Sequence, residues 1–414
     1  MEIGGRAIGA DEGTGGLGGV SGSSQYATTR NAGPRKIGTV AYVPNPFRYG
    51  SPVTGENFTG RKTELRALTE RVTQGINVSV VSPRRYGKTS LLIAAEAAAG
   101  RSGVALVHVN VLAHPGPGRF ASALATGYAR TRRHLLQRGA AAIAELRGRF
   151  HVSPSLEVGD DGRPKLSFAP SLAEPDAMSV LEDVYRLLSE GERQPVLVLD
   201  EFDSIIDIDA SSASVLKGLA DTYPRVSLVV AGSRRRMMER LVHVHGAPLY
   251  GMTQPIALGP IDGPTMARHL ARRAASGGKK MPTDVVEAII SRAGPVPNDV
   301  QHLAFETFAL ADDVVCLDDI DAAMAQAIAL NEATYADAWH QRSAVQRRVL
   351  AAVAREATLE PFGRDFARRT GLAPSSVQRA IEALSDGDWV AVTEGTWHLT
   401  DPFFTRWVAS LDRA

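Results

Sequence analysis

The chain has 414 residues, of which 44% are hydrophobic and 22% are charged. These values are typical of a globular protein of two or three domains and exclude a fibrous or wholly disordered chain. The 46 Lys and Arg residues nearly balance the 45 Asp and Glu residues, so the charge balance provides no general attraction to nucleic acid or to anionic membranes. The single cysteine, Cys316, excludes an internal disulfide or a cysteine-based zinc cluster.

The first segment, residues 1–38, is rich in small and polar residues. Ten of the 39 glycines fall within residues 1–35. Such a segment cannot bury enough apolar surface to offset the entropy lost on ordering, so we expect a disordered tail. It has no continuous apolar stretch of the secretion-signal type, and apolar runs elsewhere are far shorter than the roughly 20 residues of a membrane helix. We therefore expect a soluble, cytoplasmic protein with no membrane partner.

Residues 39–260 alternate short β-branched runs with longer helical periods. This alternation predicts an α/β core with a parallel sheet covered by helices. The predicted strands are residues 77–81, 104–110, 195–199, 226–231 and 254–258. The predicted helices are residues 60–74, 89–100, 119–149, 175–192, 210–223 and 234–244. Between the third and fourth helices, residues 151–172 contain two alternating segments around a Gly-Asp-Asp-Gly turn, which predicts an inserted β-hairpin.

Two smaller domains are predicted after the core. Strand patterns stop at residue 260, and residues 261–338 have helical periods only, which predicts a small helical bundle. Residues 339–414 have three helical periods followed by two short strands that meet at a Glu-Gly turn. The helical periods are residues 344–355, 363–370 and 374–385, and the strands are 389–393 and 396–399. Three helices and a two-stranded wing predict a winged-helix domain.

The strongest chemical signal is the loop that joins the first predicted strand to a helix. A phosphate-binding loop has this arrangement, because its backbone N–H groups and the helix N-terminus surround the phosphates. In that role Lys88 reaches the β- and γ-phosphates and the Thr89 hydroxyl ligates Mg²⁺. Ser82 or Pro83 stands where the usual first glycine would be, and the structural alternative is a helix start with a surface lysine. The candidate nucleotide-binding residues of the loop are Pro83, Arg84, Arg85, Tyr86, Gly87, Lys88, Thr89 and Ser90.

A second apolar strand ends in two carboxylates, Asp200 and Glu201. Nucleotide hydrolases hold Mg²⁺ and the attacking water at such a strand end. We assign Asp200 to the metal, through water, and Glu201 to the role of general base or water-positioning group. Taken alone, this run could also be a core strand capped by solvated acids. Together with the phosphate loop, in this order, it indicates a nucleotide hydrolase.

The next predicted strand ends in Gly232-Ser233-Arg234. A polar side chain at the end of this strand can contact the γ-phosphate or the attacking water. An arginine just after it can detect the phosphate through a charge-assisted hydrogen bond. Ser233 and Arg234 are the candidates for these roles. The alternative, an N-cap serine followed by a basic first turn, is compatible with them.

These motifs together resemble the AAA+ superfamily, and within it the STAND-like group that includes the archaeal-type ATPases, which also occur in bacteria. The resemblance spans residues 43–408 and implies that ATP or ADP binds with Mg²⁺ between the core and the helical bundle, which then forms a lid. It also implies that Arg61 seats the adenine side of the nucleotide and that Pro295 contacts the base. It rests on the phosphate loop, Asp200-Glu201, Ala231-Gly232-Ser233, Asn45-Pro46-Phe47, Tyr49-Gly50 and Phe58-Thr59-Gly60-Arg61 through Glu64.

Two departures from the AAA+ pattern bear on activity. Residues 294–301 of the lid contain no arginine at the place of the usual second sensor, and Ser233 stands where many relatives have Thr or Asn. Both favour slow hydrolysis by a switch over a fast motor. The sequence thus predicts an ATPase whose nucleotide state controls the lid, the winged helix and assembly into a homo-oligomer. The alternatives are a DNA-binding loader and a nucleotide-stabilised scaffold with negligible turnover.

The sequence does not identify the binding partner of the winged helix. Residues 341–414 contain ten arginines against nine Asp and Glu residues, whereas a surface that binds DNA phosphates is normally more basic. The recognition helix, residues 374–385, and a local patch of Arg364, Arg368 and Arg369 still allow DNA contact. At this level, contact with DNA, docking on the ATPase core and contact with a protein partner are all alternatives.

Overall fold

Nine strands occur in the described part of the chain, and five of them form one parallel sheet. The computed structural model describes residues 44–131, 153–158, 164–169 and 177–411, apart from residues 359 and 394. The predicted tail, the second half of the predicted long helix and the turn of the predicted hairpin lie outside the described residues. The strands are β1 Val78–Val81, β2 Ala105–Asn110, β3 Ser153–Val158, β4 Pro164–Ala169, β5 Pro195–Asp200, β6 Ser227–Gly232, β7 Gln254–Ala257, β8 Val390–Thr393 and β9 Thr396–Leu399.

The helices of the described residues lie in three groups. Those of the core are α1 Lys62–Thr73, α2 Lys88–Arg101, α3 Pro117–Thr131, α4 Ala177–Ser189, α5 Ser212–Thr222 and the short α6 Arg235–Met238, with 3₁₀ turns at Gly55–Asn57 and Phe202–Asp207. Those of the lid are α7 Gly263–Ser276, α8 Thr283–Ala293, α9 Pro297–Leu310, α10 Leu317–Leu330 and α11 Glu332–His340. Those of the winged helix are α12 Ala344–Arg355, α13 Arg364–Thr370, α14 Pro374–Asp386 and α15 Pro402–Ser410. None of the described helices is long and apolar enough to cross a membrane.

The parallel sheet has the strand order β2-β5-β6-β1-β7. All six residues of β5 and all six of β6 are buried, as expected for strands covered by helices on both faces. Because β6 pairs in parallel with both β1 and β5, the carboxyl ends of these three strands meet at one edge of the sheet. This edge carries the phosphate loop, Glu201 and Ser233, which are distant from one another in sequence.

The predicted core strands agree with the observed ones to within a residue or two, whereas two helices differ. The helix predicted from residue 60 begins at Lys62, because Gly60 has a positive φ of 73° and Arg61 is also non-helical. A Cβ at residue 60 would lie 2.4 Å from Cγ2 of Ile261, so only glycine fits. The helix predicted over residues 234–244 is a short α turn that widens into a π-helical turn at Glu239–His243. Within the predicted insertion, β3 and β4 form an antiparallel pair.

The lid has its own apolar core, which includes a residue from outside its helices. Phe47 is fully buried among lid side chains such as Leu270, Ile289 and Phe308. Its ring packs edge to face on Phe308, with the ring centroids 5.7 Å apart. The segment before the phosphate loop is therefore attached to the lid as well as to the core.

The last domain has three helices and a two-stranded wing, as the sequence predicts, followed by a fourth helix, α15. Strands β8 and β9 pair in antiparallel register, and Thr358 adds an isolated bridge to Trp397. Its apolar core includes Val349, Phe366 and Trp407. The final helix, α15, packs against α12 of this domain and α10 of the lid. The domain boundaries predicted at residues 38, 260 and 338 stay predictions.

Candidate nucleotide site

A cleft of about 360 Å³ opens between the phosphate loop and the lid. Seven of the eight candidate loop residues, Arg84 through Ser90, line it, whereas Pro83 is exposed and does not. The segment before α1 forms one wall, and the start of α9 forms the opposite side through Pro297, Asn298 and Gln301. Arg61 and Glu201 also line it. The cleft therefore combines the core, the segment before it and the lid.

The phosphate loop ends where Gly87 adopts a left-handed conformation and α2 begins at Lys88. Gly87 has φ of 90°, which glycine adopts at little cost. Lys88 is only 5% exposed, and its ammonium donates a hydrogen bond to the Ser82 carbonyl, with an N–O distance of 3.2 Å. Burial lowers the pKa of Lys88, while the nearby carboxylates Glu201 and Asp200 oppose this shift. A buried cation and a helix N-terminus thus lie together at this end of the cleft.

Thr89 and Asp200 present two oxygen atoms at the same place. The Thr89 hydroxyl donates to Oδ2 of Asp200, with an O–O distance of 2.7 Å. Oδ1 of Asp200 accepts from the backbone N–H of Glu201, at 3.0 Å, which fixes the carboxylate. No group of three or more His, Cys, Asp and Glu side chains in the described residues could hold a metal. One hydroxyl and one carboxylate nevertheless fit Mg²⁺, which usually takes few protein ligands and completes its shell with phosphates and water.

Glu201 lies between the acidic strand and the cleft in a strained conformation. Its φ is 50°, a left-handed value that few residues other than glycine adopt. Its Oε2 accepts a hydrogen bond from the Ser233 hydroxyl, with an O–O distance of 3.0 Å. Burial raises the pKa of Glu201, and the neighbouring Lys88 ammonium partly opposes this. The adjacent strand ends thus hold a half-buried carboxylate with raised proton affinity at the cleft.

Arg234 does not line the cleft, contrary to the role expected for it. Its Nε donates to Oδ2 of Asp203, at 2.6 Å, and its terminal nitrogen donates to the Asp203 carbonyl, at 2.7 Å. Asp203 is 2% exposed, and a buried carboxylate requires a cation or hydrogen-bond donors. In this structure Arg234 therefore ties the ends of β5 and β6 together and does not face the phosphate loop.

Arg61 and Pro295, both expected near the base, have different surroundings. Arg61 lines the cleft but is 4% exposed, and it donates to the carbonyls of Tyr86 and Gly259, at 3.1 and 2.6 Å. Its main contacts thus join the phosphate loop to the segment after β7. Pro295 does not line the nucleotide cleft but a second cleft of about 390 Å³ between α8 and the winged helix. The lid reaches the nucleotide cleft through the first turn of α9 instead.

Several cleft residues were missed by sequence reasoning. Asn298 accepts a hydrogen bond from the backbone N–H of Gly50, at 2.8 Å, and so connects the lid to the segment before the loop. Asn57 and Gln301 each have a buried side-chain oxygen without a hydrogen-bond partner. Pro297 could have indicated that a helix begins there and that Asn298 lies in its first turn, because proline is favoured at the first position of a helix. Nothing local in the sequence distinguishes Asn57, whereas Gln301 belongs to the lid element, from Gly294-Pro295 to Gln301, that the resemblance implies lies near the base.

Asp299 of α9 is a buried partner of the phosphate loop that the sequence did not indicate. Its Oδ1 accepts from the Arg85 guanidinium, at 3.0 Å, and its side chain is 1% exposed. Burial raises the pKa of Asp299 to about 6, although Arg85 and Asn298 favour the charged form. Its second oxygen, Oδ2, is buried without a partner. The lid thus contacts the loop through a carboxylate that is costly to ionise.

The raised pKa of Asp299 predicts a loss of stability as pH rises. Between about pH 4 and 6 the folded protein retains a proton that the unfolded chain has lost, so the free energy of unfolding falls through this window. A shift of about two units corresponds to about 3 kcal/mol. Asp299→Asn removes this titration. We therefore expect the stability of the variant relative to the native protein to rise by about 2 to 3 kcal/mol between pH 4 and 7.

Urea denaturation of both proteins across this pH range measures the difference. A difference that does not change with pH would show that Asp299 is ionised throughout the range.

Comparisons with known proteins agree with this architecture. Residues 333–410 match a family model described as a probable winged helix domain. The Walker-type ATPase Paby2304 of Pyrococcus abyssi aligns with a TM-score of 0.57 and 17% identity, covering 85% of this chain and 96% of its own. The ORC2 protein of Aeropyrum pernix, in its ADPNP–ADP complexes, aligns with a TM-score of 0.51 and 16% identity, covering 87% and 96%. The chain has the fold of an archaeal-type AAA+ ATPase with a winged helix.

The AAA+ fold accounts for the position of the cleft, since the strand order β2-β5-β6-β1-β7 places the three functional strand ends side by side. A search of curated protein sequences found no match. At 16 to 17% identity, the two aligned structures establish the fold and leave the chemistry of this chain to its own residues.

Proposed function

We propose that this protein is a slow, Mg²⁺-dependent ATPase whose nucleotide state controls the position of the lid and the winged helix. One observation carries the proposal: adjacent strand ends bring Lys88, Thr89, Asp200, Glu201 and Ser233 to one edge of the sheet. These are a phosphate-binding cation, two metal ligands, a proton acceptor and a residue that orients it. No simpler role explains why all five side chains meet there.

The phosphate loop binds the nucleotide through its backbone and Lys88. The first residues of α2 line the cleft, and the backbone N–H groups and dipole of a helix N-terminus favour anions at this end. Lys88 is already desolvated, so its attraction to a phosphate is stronger than that of a surface lysine. Thr89 and Asp200 would hold Mg²⁺, which neutralises charge on the phosphates when it is bound.

Glu201 accepts the proton of the attacking water. Its raised pKa makes it a stronger base than an exposed glutamate, and the Ser233 hydroxyl fixes the orientation of its carboxylate. The strained backbone of Glu201 places its side chain at the cleft rather than in the sheet. This role needs no displacement of Asp200, which is held separately by Thr89 and the backbone.

We expect slow turnover because three arginines near the site are already paired with carboxylates. An arginine that stabilises the charge of the transition state increases phosphoryl transfer by about 10³ to 10⁵-fold. Arg234 is bound to Asp203, and Arg84 and Arg85 pair with carboxylates of the lid and winged helix. The lid residues of the cleft are Pro297, Asn298 and Gln301. Within one subunit, therefore, Arg84, Arg85 and Arg234 are already paired with carboxylates and are not free for this task.

Two measurements test the proposal. Phosphate release from ATP should require Mg²⁺ and should be lost in excess chelator. Absence of turnover with tight nucleotide binding would favour the scaffold alternative instead. The mass in solution, measured with ADP and with a non-hydrolysable ATP analogue, tests for a homo-oligomer. We expect a larger mass with the analogue, and equal masses would contradict nucleotide-driven assembly.

DNA binding through the winged helix is a second candidate function. In its favour, α14 exposes Ser375, Gln378 and Arg379 to solvent. However, Arg368 pairs with Asp365, and Arg369 pairs with Glu356, so two cations of the predicted patch are partly neutralised. Binding of duplex DNA that weakens steeply with salt would support this function. Lack of binding at low salt would exclude it and leave a protein partner or the ATPase core as the target of the domain.

A further inference from the structure

One edge of the winged helix is acidic and contacts arginines of the ATPase core. Asp388 Oδ2 lies 3.1 Å from Nε of Arg84. Asp386 Oδ2 lies 3.0 Å from a terminal nitrogen of Arg236. We call these two carboxylates, with Asp401, the acidic edge. It brings negative charge to a part of the core that must also receive phosphates.

The contact is made with the phosphate loop itself. Arg85 donates to the Thr400 carbonyl, at 3.1 Å, and lies 3.6 Å from Oδ2 of Asp401. Burial raises the pKa of the Tyr86 hydroxyl, and the Thr393 side chain of β8 partly opposes this shift. Phosphate loops bind their ligand mainly through backbone N–H groups and lysine, so these side chains are free for another task. Here that task is docking the winged helix.

Asp388 is the member of the acidic edge that pairs with Arg84 of the phosphate loop. Its side chain is 32% exposed, and burial raises its pKa, which the cations Arg84 and Lys88 both lower. Its backbone is left-handed, with φ of 59°, and its carbonyl accepts a hydrogen bond from the Thr400 hydroxyl, with an O–O distance of 2.5 Å. The turn between α14 and β8 is thus fixed so that this carboxylate faces Arg84.

We propose that Asp388 makes the docked winged helix selective for the diphosphate state, because its carboxylate competes with a terminal phosphate for Arg84 and Lys88. This inference rests on the proposed nucleotide binding and extends it to regulation. A nucleoside diphosphate has no γ-phosphate to bring to these two cations, so the winged helix stays docked. A nucleoside triphosphate brings a second anion to the same two cations, and the like charges disfavour docking.

The coupling has a measurable consequence for affinity. Linkage between two binding events is reciprocal. The factor by which a bound triphosphate weakens docking of the Asp388 carboxylate is therefore also the factor by which docking lowers the affinity for the triphosphate. Asp388→Asn removes the charge and keeps the backbone, since Asn is among the residues that best tolerate a left-handed φ. We expect the variant to bind a non-hydrolysable ATP analogue about tenfold more tightly, which corresponds to about 1.4 kcal/mol. Its affinity for ADP should change by less than about twofold.

The matched control is Asp386→Asn. Asp386 belongs to the same edge and pairs with an arginine of the core, but Arg236 is outside the phosphate loop, and both side chains are more than half exposed. We expect the ratio of the two affinities to be unchanged in this variant. Titration calorimetry of the full chain with Mg²⁺, for the native protein and both variants, gives all six constants. Equal gains for ADP and the analogue in Asp388→Asn, or an equal change of ratio in Asp386→Asn, would overturn the inference.

A distance measurement separates this inference from the proposed function. In a Cys316→Ser background, Lys217→Cys on α5 and Gln378→Cys on α14 place one spin label on the core and one on the winged helix, both at exposed positions. The analogue should lengthen the distance between the labels, and ADP should not. Tight nucleotide binding with the same distance in both states would refute the selective docking alone. Absence of nucleotide binding would refute the proposed function.

Discussion

Replacing Lys88 by alanine is expected to reduce the affinity for ATP and ADP by at least about 100-fold, or about 3 kcal/mol. Lys88 is the buried cation at the start of α2, and a charge-assisted hydrogen bond of this kind contributes about 1.5 to 3 kcal/mol. Two neighbouring phosphates would share the same ammonium. The expected loss therefore lies at the upper end of that range.

The substitution should leave the fold intact. In the described residues, the Lys88 ammonium donates one hydrogen bond, to the Ser82 carbonyl, and alanine is the best helix former for the first turn of α2. Calorimetric titration of the variant gives the affinity, and circular dichroism checks the helix content. Lys62→Ala, in the exposed first turn of α1, is the matched control and should bind as the native protein does. Unchanged affinity in Lys88→Ala would mean that the phosphates bind elsewhere.

The chemistry of the site could be predicted where it follows from local sequence. An apolar strand, a loop ending in Gly87-Lys88-Thr89 and a helix form one continuous unit, and Asp200-Glu201 ends another buried strand. The rule that parallel strands present their carboxyl ends at one edge is enough to bring these motifs together. Local pattern and global fold agree here because phosphate binding depends mostly on backbone geometry.

The sequence could not predict which long-range contacts each side chain makes. Arg234 has the right residue type and position for a phosphate sensor, but the buried carboxylate of Asp203 binds it instead. Pro295 belongs to the Gly-Pro motif of the lid, but it lines the second cleft, beside the winged helix. The residues of the lid that line the nucleotide cleft come just after it, at the start of α9. Both depend on long-range packing, within the core for Arg234 and between the lid and the winged helix for Pro295, which no local pattern encodes.

The side chains of the phosphate loop also make contacts with other domains that the sequence could not predict. Arg84, Arg85 and Tyr86 were expected to contact the nucleotide, and all three line the cleft. Their side chains also contact Asp388, Asp299, Thr400 and Thr393, in two other domains. The near-neutral charge of the winged helix, which argued against a strong DNA surface, thus has a structural explanation, since part of its acidic charge faces the arginines of the core.

Replacing Glu201 by glutamine is expected to leave only a small residual turnover while nucleotide binding is retained. General acid–base catalysis contributes about 10² to 10⁴-fold, and the amide has the same shape but cannot accept the proton. The glutamine oxygen can still accept the hydrogen bond that Ser233 donates to Glu201, so the site should keep its geometry. Phosphate release in single-turnover experiments measures the loss. Glu190→Gln, at an exposed position just after α4, is the matched control and should hydrolyse ATP at the native rate.

The pH dependence distinguishes a proton acceptor from a residue that only positions the site. Because burial raises the pKa of Glu201, native turnover should fall as pH drops through that raised value, when the carboxylate becomes protonated. The residual turnover of Glu201→Gln should lack this acidic limb. Ser233→Ala leaves the carboxylate in place and removes a hydrogen bond that lowers the pKa, so its acidic limb should move to higher pH. A variant that turns over at the native rate without Glu201 would assign the proton transfer to another group.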